Sequence, residues 1–125
     1  MEDSVKKVFD YQEIETFEKV LQFKGETLEQ FNDRTYGMDV DTAGYEKVKA
    51  IAFAMNGGKH VTEGYYPWFY NPTRSYDSLS LHGSFLDNDA ANVGSRHLMI
   101  DRERAIFAGK TFPREYSQFI NGTEE

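Results

Sequence analysis

The chain has 125 residues, of which 28% are charged and 39% hydrophobic, and it carries a formal charge of −7 at pH 7. That length is one domain with one core. The acidity excludes general nucleic-acid binding, which needs a net basic face. The lack of cysteine excludes disulfides, thiol catalysis and zinc–thiolate sites. No stretch is apolar for long enough to span a bilayer, so no membrane partner is expected. Met1-Glu2-Asp3 is not followed by the apolar run of a secretory leader. The expected setting is a host cytoplasm or a virion interior, not secretion. The acidic surface reads as solubility, or more sharply as mimicry that blocks a basic partner.

Residues 1–10 are charged, with Val5, Val8 and Phe9 as apolar points, and predict a helical turn or a loose arm. Phe17, Val20 and Leu21 fall at helical spacing, with Thr16 placed to accept from the first amides and Gly25 suited to the closing left-handed position. Thr27 precedes a short helical turn over Leu28-Glu29-Gln30-Phe31, and a loop is expected from about Asn32 to Asp41. A firmer helix is predicted from near Thr42 to about Asn56. Tyr45, Val48, Ala52 and Met55 step along it by three and four, Asp41 or Thr42 caps it, and Gly57-Gly58 stops it.

Tyr65-Tyr66-Pro67-Trp68-Phe69-Tyr70 follows, with five aromatics in six residues and the chain's only tryptophan. Strand alternation puts Tyr66, Trp68 and Tyr70 on one face and Tyr65 and Phe69 on the other. Pro67 cannot donate to a ladder, so it argues for an edge strand or one whose proline nitrogen faces solvent. Asp77 to His82 reads as a second strand with Leu79 and Leu81 inward, Gly83-Ser84 as a turn, and residues 87–92 as a polar loop. Val93 to Ile100 reads as a third strand, with Arg96, Leu98 and Ile100 sharing a face.

Asp101 then caps a helix whose inner side includes Ala105, Ala108 and Phe112. Pro113 either kinks that helix or ends it and starts another. Tyr116, Phe119 and Ile120 make the last apolar stripe, and residues 121–125 are expected to be a disordered tail. The order predicts an α+β fold: N-terminal helices, a small antiparallel sheet of about three strands, and a kinked C-terminal helix packed on it.

The ordered series Tyr65-Tyr66-Pro67-Trp68-Phe69, a Ser/Asp/Gly-rich middle, Val93-Gly94-Ser95-Arg96, then Ala108-Gly109-Lys110 and Phe112, resembles an uncharacterised family of small proteins from phages and mobile elements of gut Bacteroidetes. Thr16-Phe17-Glu18 and Lys49-Ala50-Ile51 are similar too, so the likeness covers roughly residues 15 to 120. The chain departs from that pattern at His97, where the family has Leu, at Phe107, where it tends to Tyr, and at Pro113. The resemblance implies a phage or mobile-element setting. Variable loops on a constant frame suggest recognition by analogy.

The aromatic strand offers two uses. Trp68 reads first as core between sheet and helices. Tyr65 and Tyr70, near the strand ends, read equally as core or as contact surface for a base, a sugar or a protein. A homo-oligomer interface is a third use. Arg96 needs an acidic partner if its face is buried, with Asp87 or Asp101 the candidates, or else it grips a carboxylate or phosphate.

Asp87, Asp89 and Asn92 have a partial likeness to a calcium loop. It lacks the glycine of the sharp turn, and Leu98 stands where the closing glutamate belongs. His60, His82 and His97 have no zinc-ligand spacing. His82 and His97 facing each other across two strands, with Asp87 or Asp89, is the alternative to surface histidines. Gly94-Ser95-Arg96 is no nucleophile elbow, and Gly57-Gly58-Lys59 lacks a phosphate loop's spacing.

The expectation is a non-catalytic binding module without metal or cofactor. Its surface would run from Tyr65 to Arg96 and use Tyr65, Trp68, Tyr70, Arg74, Tyr76, His82, Asp87, Asn88, Asp89, Asn92 and Arg96. The partner would be a protein or a small molecule. The alternatives are a virion assembly protein that self-associates, and an inhibitor of host defence acting by acidic mimicry or by sequestering a small molecule.

Overall fold

The computed structural model describes residues 9–88 and 96–123. Helix α1 spans Phe17–Lys24, α2 Leu28–Thr35, α3 Val40–Met55, α4 Arg102–Thr111 and α5 Pro113–Asn121. Strands β1 (Glu63–Tyr70) and β2 (Ser80–Asn88) pair antiparallel. The class is α+β, and no helix among the described residues is long and apolar enough to cross a membrane.

The helix ends obey local chemistry. Thr16 accepts from the Lys19 amide at 3.2 Å, and Gly25 sits in the left-handed region at φ 82°. Thr27 and Gln30 form a reciprocal capping box, each side chain taking the other's amide. That box carries α2 to Thr35, where a loop was expected from Asn32. Helix α3 starts at Val40 rather than Thr42. Asp39 holds its N-cap position without a side-chain cap bond, and the Asp41 carboxylate accepts from the Thr42 amide instead. Asp101 caps α4 by accepting from the Arg104 amide at 2.9 Å. Pro113 resolves into its second alternative, ending α4 and opening α5 as a first-turn residue. Asn121, placed in the tail by sequence, still belongs to α5, which closes at Gly122. Of the expected N-terminal arm, Phe9 rests its ring 5.5 Å from Phe23; residues 1–8 lie outside the described residues.

The core forms around α3. Val48, Ile51, Ala52 and Met55 meet Val20 and Leu21 of α1, Phe31 of α2, Ala105 and Ala108 of α4, and Tyr116 of α5. Helices α3 and α5 touch backbone to backbone at Gly44. A Cβ placed there would stand 2.6 Å from the Phe119 nitrogen. Two bonds lock the crossing: Lys47 Nζ donates to Gln118 Oε1 at 2.6 Å, and Gln118 Nε2 donates to the Val40 carbonyl at 3.0 Å.

The hairpin lays one face on α4. Gly109 makes that approach possible, because a Cβ there would meet Leu81 Cδ1 at 2.6 Å and Pro67 Cβ at 2.8 Å. The Pro67 ring is therefore buried, while β1 is the edge strand that the proline argued for.

Among the described residues two strands are found where about three were expected; Val93, Gly94 and Ser95 of the expected third lie outside those residues. Arg96 and His97 form a turn, and of the described residues after β2 only Met99 pairs with β1, exchanging both backbone bonds with Tyr65 at 2.7 and 2.8 Å. In an antiparallel ladder the next donor on that edge belongs to the residue two along. That residue is Pro67, which has no N–H, so pairing stops after one bridge. Asn56 does the remaining work from α3: its Nδ2 donates to the Leu98 carbonyl at 3.0 Å and its Oδ1 accepts from the Ile100 amide at 2.9 Å. The second strand also differs. Tyr76–Ser78 is a 3-10 turn, and Gly83-Ser84, expected as a turn, lies inside β2.

Glu115, in the first turn of α5, is half-buried. Burial pushes its carboxyl above the ordinary value, against the pull of its own backbone amide, Lys47 and Arg114. A carboxyl with a raised folded-state pKa stabilises the fold while protonated and loses that contribution as pH rises. Glu115→Gln should therefore gain on the wild type between about pH 4 and about pH 7, read as a widening difference in melting temperature. Parallel melting curves at both pH values would contradict this.

Candidate functional site

The face of the hairpin turned away from α4 carries a cluster of rings. Strand alternation sends Tyr65, Pro67 and Phe69 toward the helices and Tyr66, Trp68 and Tyr70 outward, as the sequence pattern predicts. Trp68, read first as core, is instead 43% exposed. The reason is that, among the described residues, helices cover one face of the sheet, and Pro67 rather than Trp68 points into it.

A β-bulge shapes this cluster. Trp68 pairs with Gly83 but Phe69 pairs with Leu81, so His82 is the extra residue. Gly83 takes a φ of 146°, a conformation suited to glycine. The bulge returns Leu81 to the inner face and brings the His82 ring to 4.9 Å from Trp68, edge to face. Phe85, 50% exposed, lies 5.7 Å from Trp68 and stacks on Tyr66 at 6.1 Å.

Beside these rings runs a groove of about 280 Å³, between the open edge of β1 and helices α3 and α5. Trp68 and Tyr66 form one wall, Val48 and Tyr116 belong to the interior side, and Phe119 and Ile120 form the other wall. Among the described residues its lining contains no carboxylate, lysine or arginine. The Tyr116 hydroxyl is buried with no hydrogen-bond partner among the described residues, and burial, followed by the neighbouring Glu115 charge, drives its ionisation far upward. The groove can bury apolar surface and offer a phenol hydrogen bond.

The expected site residues divide. Trp68 and His82 come together, and Tyr70, 59% exposed, extends the same face. Tyr65 faces the other way, packed against the core with Arg102 5.7 Å above its ring. Arg74 is exposed in the turn after β1 at φ 54°. Tyr76, in the 3-10 turn before β2, lies under the guanidinium of Arg114 from the first turn of α5, 4.4 Å away. Asp87 and Asn88 belong to β2, paired with Gly64 and Glu63, and not to a loop. Asp89 and Asn92 lie outside the described residues. Arg96 is exposed in a turn, so it does not share a buried face with Leu98, and Asp101 bonds Arg104 instead.

The two histidines have different ring neighbours, His82 at Trp68 and His97 at Tyr66, 5.6 Å away. Among the described residues no three His, Asp or Glu side chains gather closely enough to hold a metal. Sequence reasoning missed Phe85 and Phe119 as surface residues. Phe119 looked like the inner stripe of α5, yet it is 36% exposed because Gly44 takes the backbone of α5, not its side chain, into the contact.

Compared with family models, curated proteins and solved structures, the chain matches none.

Proposed function

We propose that this chain is a small non-catalytic protein-interaction module, and that the outer hairpin face with its adjoining groove is the surface a partner covers. One observation carries the proposal: Trp68, Phe85 and Phe119 are exposed around a groove with no charged lining. Clustered large aromatics are what interface centres are built from, and tryptophan supplies the largest share of their energy. The partner should present an apolar segment within basic or neutral surroundings. A chain of charge −7 repels its own copy and attracts such a rim. The phage or mobile-element setting belongs to the same proposal and rests on the resemblance described above.

The test is affinity capture with the full chain, the Trp68→Ala/Phe85→Ala variant, and Tyr36→Ala as control. Tyr36 lies in the loop between α2 and α3 and is 90% exposed. A partner held by wild type and by the control should lose at least about tenfold in affinity with the double variant. The variant's melting temperature should fall by less than about 5 °C. A partner retained equally by all three chains would overturn the assignment. Self-association abolished by the double variant would move the function to virion assembly.

A further inference from the structure

Four basic side chains of this acidic chain surround a cavity of about 290 Å³, formed by the C-terminal ends of α1 and α3 and the turn at Arg96. Lys24, Lys49, Lys59 and Arg96 line it, four of the fourteen lysines and arginines in the chain, with His60 on the same wall. Glu46 is the only carboxylate in that lining among the described residues.

Glu46 is already engaged. Its oxygens lie 2.8 Å from Lys49 Nζ and 3.0 Å from Arg34, which reaches in from α2. Burial pushes its carboxyl up, and those hydrogen bonds more than reverse the effect, keeping it ionised and occupied. The carboxylate paired with Lys24 is Glu26, at 3.9 Å, and Arg34 holds that group far more closely, at 2.6 Å. Lys59 and Arg96 have no ion-pair partner among the described residues.

Two helix C-termini meet here, and helix ends attract cations. Their last carbonyls are, however, already closed by glycine amides: Gly25 to Gln22 at 2.9 Å, Gly57 to Ala54 at 3.1 Å and Gly58 to Phe53 at 2.8 Å. Lys59 and Arg96 lie outside both helices. Lys59 and Arg96, without an ion-pair partner among the described residues, stand at one hollow with the paired Lys24 and Lys49, and a bound anion would relieve their mutual repulsion. The same cavity has an apolar wall. Phe53 is 39% exposed and meets Phe23 only edge-on, with ring centres 5.9 Å apart.

We propose that this cavity binds a small molecule bearing a phosphate or pyrophosphate group, with Lys59 and Arg96 on the anion and Phe53 against the ligand's planar part. An arginine fork matches phosphate geometry and a lysine adds a mobile charge. The site is independent of the groove, since Lys49 and Phe53 lie on a different side of α3 from Val48.

Isothermal titration at low salt, with pyrophosphate, ADP and adenosine as probes, tests it. Pyrophosphate should bind saturably at one site per chain, with affinity that falls steeply as salt rises. Lys59→Gln with Arg96→Gln should weaken it by at least about tenfold. The melting temperature should hold, because both side chains are exposed. ADP should bind more tightly than pyrophosphate, by about tenfold, and Phe53→Ala should remove that margin. Adenosine alone should not bind. Absence of saturable pyrophosphate binding, or equal affinity in the double variant, would overturn the site. An ADP margin that survives Phe53→Ala would overturn the role given to Phe53.

Discussion

Gly44→Ala should lower the melting temperature by roughly 5–15 °C, although the substitution sits inside a helix where alanine is the better helix former. In an exposed helix the exchange gains about 1 kcal/mol. Here the added methyl would lie 2.6 Å from the Phe119 nitrogen, 2.8 Å from its Cα and 2.9 Å from the Gln118 carbonyl carbon. All three are backbone atoms, so no rotamer change relieves the clash, and α5 must move away from α3. That movement also lengthens the Lys47–Gln118 and Gln118–Val40 bonds. Overpacking costs about 1–3 kcal/mol where side chains can yield, and more where they cannot. Gly109→Ala is the informative comparison. Its clash is with Leu81 Cδ1 and Pro67 Cβ, and Leu81 can rotate. Thermal melts should rank Gly44→Ala as the more damaging. Equal or reversed losses would mean that α3 and α5 are not in backbone contact.

Asn56→Ala should cost about 2–4 kcal/mol, because it leaves both the Leu98 carbonyl and the Ile100 amide without the partner they have now. The side chain is 5% exposed, so water does not readily replace it. Asn56→Asp separates the two bonds. An aspartate still accepts from the Ile100 amide but cannot donate to the Leu98 carbonyl, and it buries a charge. Its folded-state pKa should lie above the unfolded value, so the variant should be most stable when acidic and lose stability as pH rises. When protonated, its hydroxyl can donate to Leu98. Denaturant melts should therefore show Asn56→Asp approaching the wild type near pH 4 and falling well below it near pH 7, roughly parallel to Asn56→Ala there. A pH-independent gap would mean that this side chain does not clamp residues 98–100.

These two residues also explain what could be read from sequence. The caps at Thr16, Thr27 and Asp101 were legible because each involves groups within three residues of one another. The alternation of Tyr65 to Tyr70 was legible because a strand has period two. The third strand was not. Over its described part, Arg96 to Ile100, what limits pairing is a proline on a neighbouring strand and an asparagine more than forty residues earlier. Neither leaves a local trace.

The candidate site was half legible for a related reason. The aromatic stretch marked the region, but which of its faces the helices cover depends on Gly109 admitting Pro67 and Leu81. That choice turned Trp68 outward. The bulge at His82 and Gly83 looked like a turn, since a glycine–serine pair punctuates either one. Phe85 consequently lost its place in the pattern. Arg96 was assigned to a strand face and stands in a turn, where it joins Lys24 and Lys49 from other helices. Clusters drawn from three elements have no sequence signature.

The most direct test of the proposed recognition face is acrylamide quenching of Trp68 fluorescence in the isolated protein across a range of dilutions. Trp68 is the only tryptophan, so the signal has one source. An indole on an uncovered hairpin face should be quenched efficiently and identically at every concentration. Quenching as weak as that of a core indole would contradict the account, and shielding that grows with concentration would assign the face to a second copy of the chain.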